Sequence, residues 1–232
     1  MELKILDYLK KHGGIYTDMI AVLKSHGPGG GRNISNAYIN ARVLNQKDDA
    51  GRYVHYDFLH GVGASISEHA KRLGANMIIG VVTTGATLAE FAGEASGIRF
   101  CSWNPHDEDS TPDADLAGKN VLVVDDTTTT GASISDCIKV CEAVGANVVG
   151  ALTLVRRDPE KVREEQVGLN PNTQEFVSLL DIDFKIVIEE ANDKSILLRA
   201  GLPVRLDIGY AATDDWPNKY PNLTYEGEPN TK

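Results

Sequence analysis

One stretch of the chain, residues 121–144, most constrains the fold because it combines a short apolar run, a polar turn and an amphipathic helix. The apolar run is Val-Leu-Val-Val at residues 121–124, and a second run follows at residues 148–155. Between the two runs, apolar side chains recur at helical spacing, at Ile134, Cys137, Ile138 and Cys141. Strands that are apolar on both faces and separated by a helix predict a parallel sheet covered on both sides. We therefore predict an α/β fold in which helices flank a parallel sheet.

The same order of strand, turn and helix occurs earlier in the chain. Residues 77–82 are predicted as a strand, followed by a Thr/Gly turn, a helix to about residue 96 and a short strand at 98–101. An amphipathic helix over residues 58–73 precedes this unit and should end near Gly74. Because ligands of such sheets bind at the carboxyl ends of the strands, the turns after these strands are the expected functional positions.

The regions outside these units are less regular. The patterns there predict a first helix that starts near Leu3 and ends near Gly13-Gly14, a second short helix over residues 17–23 and a strand over residues 37–43. After Val155 the sequence is polar until the mainly apolar residues 184–188. The expected divisions are N-terminal helices and a hood segment at 1–50, a ligand-binding core at 51–160, the end of the core and of the hood at 161–213, and a loosely ordered tail at 214–232. The hood is expected to be a small subdomain beside the main sheet.

Composition and charge exclude several classes of function. The longest apolar run is too short to cross a bilayer, and the first residues lack the basic start and apolar stretch of a secretory signal. We therefore expect a cytoplasmic protein with no membrane partner. The net charge of −10 argues against a nucleic-acid partner, because neutralising phosphates requires clustered Lys and Arg. The 3 cysteines form no CxxC pair, which argues against a disulfide framework or a structural zinc site.

The polar turn after residues 121–124 has the residues of a phosphate-binding site, together with two carboxylates that restrict which ligand can bind. Backbone N–H groups and the dipole at the start of the following helix favour a bound phosphate, and hydroxyl groups add donors. Two adjacent carboxylates would repel a phosphate alone, so the ligand should also carry hydroxyl groups or a metal ion; a phosphorylated ribose offers both. The residues concerned are Asp125, Asp126, Thr127, Thr128, Thr129, Thr130, Gly131, Ala132 and Ser133.

Residues 121–133 resemble the phosphoribosyl pyrophosphate signature of type I phosphoribosyltransferases. The resemblance implies that fold and implies that Asp125 and Asp126 face the ribose hydroxyls as catalytic residues. It further implies that the Thr/Gly turn at residues 127–133 binds the 5-phosphate. A polar turn of an unrelated parallel α/β protein is the alternative interpretation.

Three further stretches resemble orotate phosphoribosyltransferases in particular and extend the resemblance from about Gly31 to Arg157. Residues 80–89 are similar to the family's pyrophosphate-binding loop, in which backbone amides at a helix start contact the diphosphate. Arg157 aligns with an arginine that binds the orotate base, although a solvated surface arginine is the alternative. Residues 31–40 resemble the family's N-terminal base-site segment. The residues expected at the diphosphate are Thr83, Thr84, Gly85 and Ala86.

The resemblance implies an enzyme that transfers the 5-phosphoribosyl group from phosphoribosyl pyrophosphate to a nucleobase, with orotate the expected base and pyrophosphate the second product. It also implies a Mg²⁺ cofactor, which accompanies the diphosphate rather than occupying a protein metal site, and a homodimer. Pyrimidine nucleotide biosynthesis is the expected context.

One feature departs from the family. Orotate phosphoribosyltransferases carry a mobile loop rich in Lys and Arg that closes over the pyrophosphate, whereas residues 102–115 of this chain contain neither. Since cationic groups stabilise the leaving pyrophosphate, turnover is expected to be slow. Two alternatives therefore stay open: a phosphoribosyl pyrophosphate-binding regulatory protein with weak or no catalysis, and a purine-salvage phosphoribosyltransferase.

Overall fold

A computed structural model describes most of the chain in ten segments. These are residues 5–16, 20–24, 32–35, 38–107, 110–112, 115–157, 159–160, 162–182, 186–188 and 204–206. The chain divides into two compact units, the first formed by Met1–Gly14 and Ala41–Asp183 and the second by Ile15–Asn40 and Phe184–Lys232. All predicted catalytic and substrate-binding residues lie in the first unit.

The secondary structure alternates helices and strands through the first unit and is mostly strand in the second. In chain order the elements are α1 (Ile5–Lys11), β1 (Ile15–Tyr16), β2 (Ile20–Lys24), β3 (Arg32–Ser35), β4 (Tyr38–Ile39), a 3₁₀ helix (Ala41–Asn45), α2 (Tyr56–Arg72), β5 (Met77–Val81), α3 (Thr84–Ser96), β6 (Arg99–Trp103), β7 (Asn120–Thr128), α4 (Ala132–Ala143), β8 (Asn147–Arg157), β9 (Glu175–Ile182), β10 (Ile186–Ile188) and β11 (Val204–Leu206).

The first unit contains a five-stranded sheet in the order β6-β5-β7-β8-β9, and every neighbouring pair is parallel. Strand β5 is buried along its whole length, as expected for a strand with a helix on each side. Successive side chains of a strand point to opposite faces, so each strand contributes to two cores. The predicted parallel α/β fold is confirmed.

The two faces of this sheet are covered by different helices. On one face, alternate residues of the central strands pack against α4 in a core that includes Ile79, Val123 and Cys137. On the other face, α3 lies against β5, β6 and β7, and α2 packs on α3. The predicted helix that begins near Phe58 is confirmed as α2, and it ends just before Gly74, which has a φ of 71°.

Two glycines permit close approaches on the α2 and α3 side. A Cβ atom at Gly80 in β5 would collide with the backbone of Gly85 and Ala86 in the first turn of α3. A Cβ atom at Gly63 in α2 would lie 2.6 Å from the carbonyl carbon of Phe91 and 2.7 Å from its oxygen. Glycine at these positions therefore sets how closely α3 approaches both the sheet and α2.

The second unit contains two small sheets. Strands β10, β3, β2 and β11 form a four-stranded sheet in that order, in which β11 and β2 are parallel and the other pairs are antiparallel. Strands β1 and β4 form a separate antiparallel pair.

In the N- and C-terminal regions, some predicted helices and strands were wrong or too long, and some strands were not predicted. The helix predicted over residues 17–23 is wrong, because residues 20–24 form strand β2, whose short apolar run finds partners on both sides. The strand predicted over residues 37–43 ends at Ile39 and is followed by the 3₁₀ helix. Strands β1, β3, β9 and β11 were not predicted, since β1, β3 and β11 are only 2–4 residues long and β9 is only partly apolar. The predicted loose tail at residues 214–232 lies outside the described residues.

Replacing Gly63 by Ala should destabilise the protein. The new methyl group meets backbone atoms that cannot rotate away, and overpacking of this kind costs about 1–3 kcal/mol, against a gain in helix propensity of at most about 1 kcal/mol. Urea unfolding should show a free energy of unfolding lower by about 1–2 kcal/mol. The control is Glu68→Ala at an exposed site of the same helix, where the change should stay within about 0.5 kcal/mol. A variant as stable as wild type would contradict the packing described.

Candidate functional site

The acidic pair lies at the carboxyl end of the central strand. Strand β7 continues to Thr128, four residues beyond the predicted apolar run, so Asp125 and Asp126 belong to the strand rather than to the turn that was predicted to contain them. Asp125 pairs with Thr153 of β8, and Thr128 pairs with Arg156. Pairing with β8 holds the backbone of these residues, which fixes where their side chains begin.

Asp125 is a buried carboxyl group with a neighbouring charge. Its side chain is only 8 % exposed, and its Oδ1 accepts the backbone N–H of Asp126 at 2.8 Å. Burial, and then the negative charge of Asp126, raise the pKa of Asp125 well above its ordinary value. The pair therefore resists carrying two negative charges while no ligand supplies compensating groups.

Asp126 receives more support for its ionised form. Burial also raises the pKa of Asp126, but hydrogen bonds from the Thr84 side chain, the backbone N–H of Thr127 and the Asp125 side chain oppose this rise, as does the positive charge of Arg42. These groups come from three places in the chain: the first turn of α3, the strand β7 itself and the 3₁₀ helix. The two carboxyl groups are thus chemically different although they are adjacent.

The predicted diphosphate loop forms the start of α3, directly beside the acidic pair. The Val82–Thr83 peptide bond is cis, Thr83 is exposed, and α3 begins at Thr84. A Cβ atom at Gly85 would lie 2.7 Å from the carbonyl oxygen of Val124, so the helix start touches the end of β7. Ala86 is half-buried in the same turn. The site therefore has a helix N-terminus on one side of Asp125.

Thr84, one of the residues expected at the diphosphate, has its side chain turned away from solvent. It is fully buried, at 0 % exposure, and its Oγ1 accepts a hydrogen bond from Nδ2 of Asn45 at 3.2 Å. Its side chain therefore joins the 3₁₀ helix to Asp126, while any contact with a diphosphate would come from backbone groups. The sequence interpretation did not find Asn45 or Arg42, although both follow closely on the stretch 31–40 that carries part of the family resemblance.

The predicted 5-phosphate turn is shorter than expected because the strand takes up its first two residues. Only Thr129, Thr130 and Gly131 connect β7 to α4, and Gly131 has a φ of 82° at the position before the helix. Ala132 and Ser133 begin α4 and are exposed, as is Thr130. The first N–H groups of a helix have no partner within the helix, so an exposed helix start of this kind suits an incoming anion.

Two hydroxyl groups of the signature are buried at the strand end. Among the described residues, none forms a hydrogen bond with the Oγ1 atoms of Thr127 and Thr128. Buried hydroxyls normally find a partner, so these two are available to a ligand or to water at the end of β7.

The two arginines that end β8 have different surroundings. Arg156 makes a two-pronged ion pair with Asp181 of β9, with Nε–Oδ1 at 2.8 Å and Nη2–Oδ2 at 2.7 Å. Arg157, the residue predicted to bind the base, is only 5 % exposed at the end of the strand. It is therefore not a solvated surface arginine, which was the alternative interpretation.

Residues 102–115, which stand where the family has its cationic loop, are held together near their start by two hydrogen bonds. The indole Nε1 of Trp103 donates to the carbonyl oxygen of Ser110 at 3.2 Å, and the backbone N–H of Asn104 donates to Oγ of Ser110 at 3.2 Å. His106 is exposed between these anchors. Trp103 itself is buried, so it is part of the core rather than a free loop residue.

These features place two helix N-termini and a buried acidic pair at one edge of the sheet. Because β5 and β7 are hydrogen-bonded neighbours, the turns that follow them lie side by side. Such a site can bind two anionic groups on the helix starts while carboxyl groups between them accept hydrogen bonds from hydroxyls. Among the described residues, no three of His, Cys, Asp and Glu come together as a metal site.

The curated relatives of the chain include several orotate phosphoribosyltransferases and one transcriptional regulator. No protein-family model matches the chain. It is 28% identical over 139 residues to an orotate phosphoribosyltransferase of Sulfurisphaera tokodaii, covering 58% of this chain and 66% of the relative. It is 30% identical over 135 residues to the orotate phosphoribosyltransferase of Saccharolobus solfataricus, covering 56% of this chain and 69% of the relative.

A third relative has a different name. The transcriptional regulator GfcR of Archaeoglobus fulgidus is 33% identical over 92 residues, which cover 35% of this chain and 47% of the regulator. Across the curated relatives the chain spans between 47% and 69% of their length, and less than two thirds of the first two.

A solved structure agrees with these relatives. The crystal structure of orotate phosphoribosyltransferase from Aeropyrum pernix matches with a TM-score of 0.58 and 25% identity, covering 77% of this chain and 93% of that one.

Among the described residues, no helix has the length and apolar character needed to span a membrane.

Replacing Asp125 by Asn should stabilise the protein at neutral pH and not at acidic pH. The folded state raises the pKa of Asp125, so ionising this group costs stability as pH rises from about 4, its ordinary value, through the raised pKa. An uncharged amide avoids that cost. The melting temperature of the variant should exceed that of wild type at about pH 8, and the difference should vanish at about pH 4.

Asp49→Asn is the matched control, since Asp49 is exposed. Its melting temperature should follow that of wild type at both pH values. A variant at position 125 that is less stable than wild type at both pH values would show that the carboxylate is satisfied by its surroundings.

Proposed function

The chain belongs to the orotate phosphoribosyltransferase family of type I phosphoribosyltransferases, and we propose that it transfers the 5-phosphoribosyl group of phosphoribosyl pyrophosphate to orotate. Pyrophosphate leaves as the base nitrogen attacks the anomeric carbon, with inversion at that carbon. The observation that carries the proposal is the buried acidic pair between two helix N-termini. A ligand with phosphate at one end, diphosphate at the other and ribose hydroxyls between them matches this arrangement.

Each part of the proposed substrate has a counterpart in the first unit. The ribose hydroxyls would bind Asp125 and Asp126, whose charge also stabilises positive charge that develops on the ribose ring. The 5-phosphate would bind the turn and helix start of α4, and the diphosphate would bind the start of α3. Arg157 would bind the base. These assignments use Thr127, Thr128, Thr129, Thr130, Gly131, Ala132 and Ser133 for the phosphate, and Thr83, Thr84, Gly85 and Ala86 for the diphosphate.

Mg²⁺ belongs to the proposal as a companion of the diphosphate. Two adjacent carboxyl groups are too few to form a metal site alone, and burial raises the pKa of both. The residues therefore fit a metal held mainly by diphosphate and ribose oxygens, beside Asp125 and Asp126. When bound, the ion would neutralise part of the charge on the leaving pyrophosphate.

Two further properties complete the proposal. The family resemblance supports a homodimer, and a cytoplasmic location is part of the same proposal. Neither depends on the chemistry of the acidic pair.

A regulatory protein that binds phosphoribosyl pyrophosphate without efficient catalysis is the second candidate. The relative named as a transcriptional regulator favours it, as does the lack of Lys and Arg in residues 102–115. The two candidates share the binding site and differ in the chemical step. Binding and turnover must therefore be measured separately.

Phosphoribosyl pyrophosphate with Mg²⁺ should raise the melting temperature, because a ligand that binds only the folded state stabilises it by mass action. At about 100 times the dissociation constant the stabilisation is about 2.7 kcal/mol, or about 5–10 °C for a chain of this size. Combining Asp125→Asn with Asp126→Asn should remove most of the shift. The control combines Asp49→Asn with Asp136→Asn, both at exposed positions, and should keep it. An unchanged shift in the first double variant would remove the acidic pair from the site.

The chemical step should be slow even when both substrates are bound. Each missing donor to a leaving group costs about 10²- to 10³-fold, so a single-turnover rate at saturating phosphoribosyl pyrophosphate and orotate should lie well below about 10 s⁻¹. His106→Lys adds a cation at an exposed position of the segment and should accelerate the step, whereas His106→Gln should not. A wild-type rate at or above about 10 s⁻¹ would show that cations reach the pyrophosphate from elsewhere.

A further inference from the structure

The 3₁₀ helix Ala41–Asn45 contributes two polar side chains to the surroundings of the acidic pair, and the proposed function gives neither a role. This helix packs against α3. Residues three apart lie on the same face of a 3₁₀ helix, so Arg42 and Asn45 share a face. Of these two residues, Asn45 contacts α3 directly, by a hydrogen bond to Thr84.

Thr84 connects Asn45 to Asp126 in a relay in which the hydroxyl of Thr84 accepts one hydrogen bond and donates the other. Nδ2 of Asn45 donates to Oγ1 of Thr84 at 3.2 Å, which leaves the single hydroxyl proton of Thr84 for another acceptor. The carboxyl group of Asp126 is that acceptor, since hydrogen bonding by the Thr84 side chain lowers the pKa of Asp126. Thr84 is 0 % exposed, so water cannot easily take the place of either partner. Asn45 therefore fixes which way the hydroxyl of Thr84 points.

The surroundings of the two carboxyl groups differ, and the contact with Thr84 is made by Asp126. Thr84 donates to Asp126, and the positive charge of Arg42 also favours the ionised form of Asp126. Asp125 accepts the backbone N–H of Asp126 and shares a side-chain hydrogen bond with it, while burial and then the charge of that neighbour disfavour the ionised form of Asp125. A carboxylate held by a side chain from α3 has less rotational freedom than one without that contact.

We propose that Asn45 is a positioning residue, which through the hydroxyl of Thr84 holds the carboxylate of Asp126 in the orientation that receives the ribose. This inference rests on the proposed function, because it takes the ribose to be the group that Asp126 meets. It adds a residue from outside the two signature loops and gives the buried Thr84 side chain a task that needs no contact with ligand.

Steady-state kinetics on variants of the relay test the positioning role. Thr84→Val keeps the shape and removes the hydroxyl, and should lower kcat about 10- to 100-fold, as expected for loss of a group that orients a reacting residue. Thr84→Ser restores the hydroxyl and should recover most of kcat. Asn45→Leu should lower kcat about 3- to 10-fold, with a smaller change in KM for phosphoribosyl pyrophosphate.

The double variant Asn45→Leu with Thr84→Val should be no slower than Thr84→Val alone, because both changes break the same relay. Gln46→Ala, at the exposed neighbouring position, is the matched control and should leave kcat unchanged. Additive losses, or equal losses in the Val and Ser variants at Thr84, would mean that the residues only pack the helix against α3 and would overturn the proposal.

A titration without ligand separates this proposal from the proposed function. Carbon-13 NMR of the aspartate carboxyl groups should show a higher apparent pKa for Asp126 in Thr84→Val and in Asn45→Leu than in wild type or Gln46→Ala. Unmoved values in both relay variants would overturn the positioning role, whatever the activity. A protein with no turnover but with shifted values would contradict the proposed function and leave the relay supported.

Discussion

Burial of two adjacent carboxyl groups at the end of the central strand is the constraint on which the rest of the site depends. A pair of like charges in a poorly solvated position raises the free energy of the ionised state, and the pKa of Asp125 is raised accordingly. Such an arrangement persists only where surrounding groups fix its geometry. Here the fixing groups are the paired strand β8, the start of α3 with Thr84, and the 3₁₀ helix with Asn45 and Arg42.

Glycines make that enclosure possible. Because Gly80 and Gly85 have no Cβ atom, the start of α3 can lie directly on the ends of β5 and β7, and Gly63 lets α2 follow it. The N-terminus of α3 is thereby brought to the acidic pair, while Gly131 with its positive φ starts α4 on the other side of the same strand end. Two positive helix ends partly balance the carboxyl charge and leave places for anionic groups.

The sequence was sufficient for the parallel sheet, its covering helices and the signature loops, because these depend on local apolar periodicity and on short motifs. It was insufficient where a short apolar run could be helix or strand, as at β2, or where a strand is only partly apolar, as at β9. It could not indicate that Thr84 is buried or that Asn45 binds it, since that contact joins residues 39 positions apart. The missing cations in residues 102–115 were visible from sequence, and the ties from Trp103 and Asn104 to Ser110 were not.

The most direct measurement of the account is product analysis with a panel of nucleobases. The protein is incubated with phosphoribosyl pyrophosphate and Mg²⁺ together with orotate, uracil, adenine, guanine or hypoxanthine, and nucleotide and pyrophosphate are quantified together. The account predicts the nucleotide of orotate with an equal amount of pyrophosphate, and no nucleotide from the purines. A purine nucleotide as the main product, or binding of phosphoribosyl pyrophosphate with no nucleotide from any base, would contradict it.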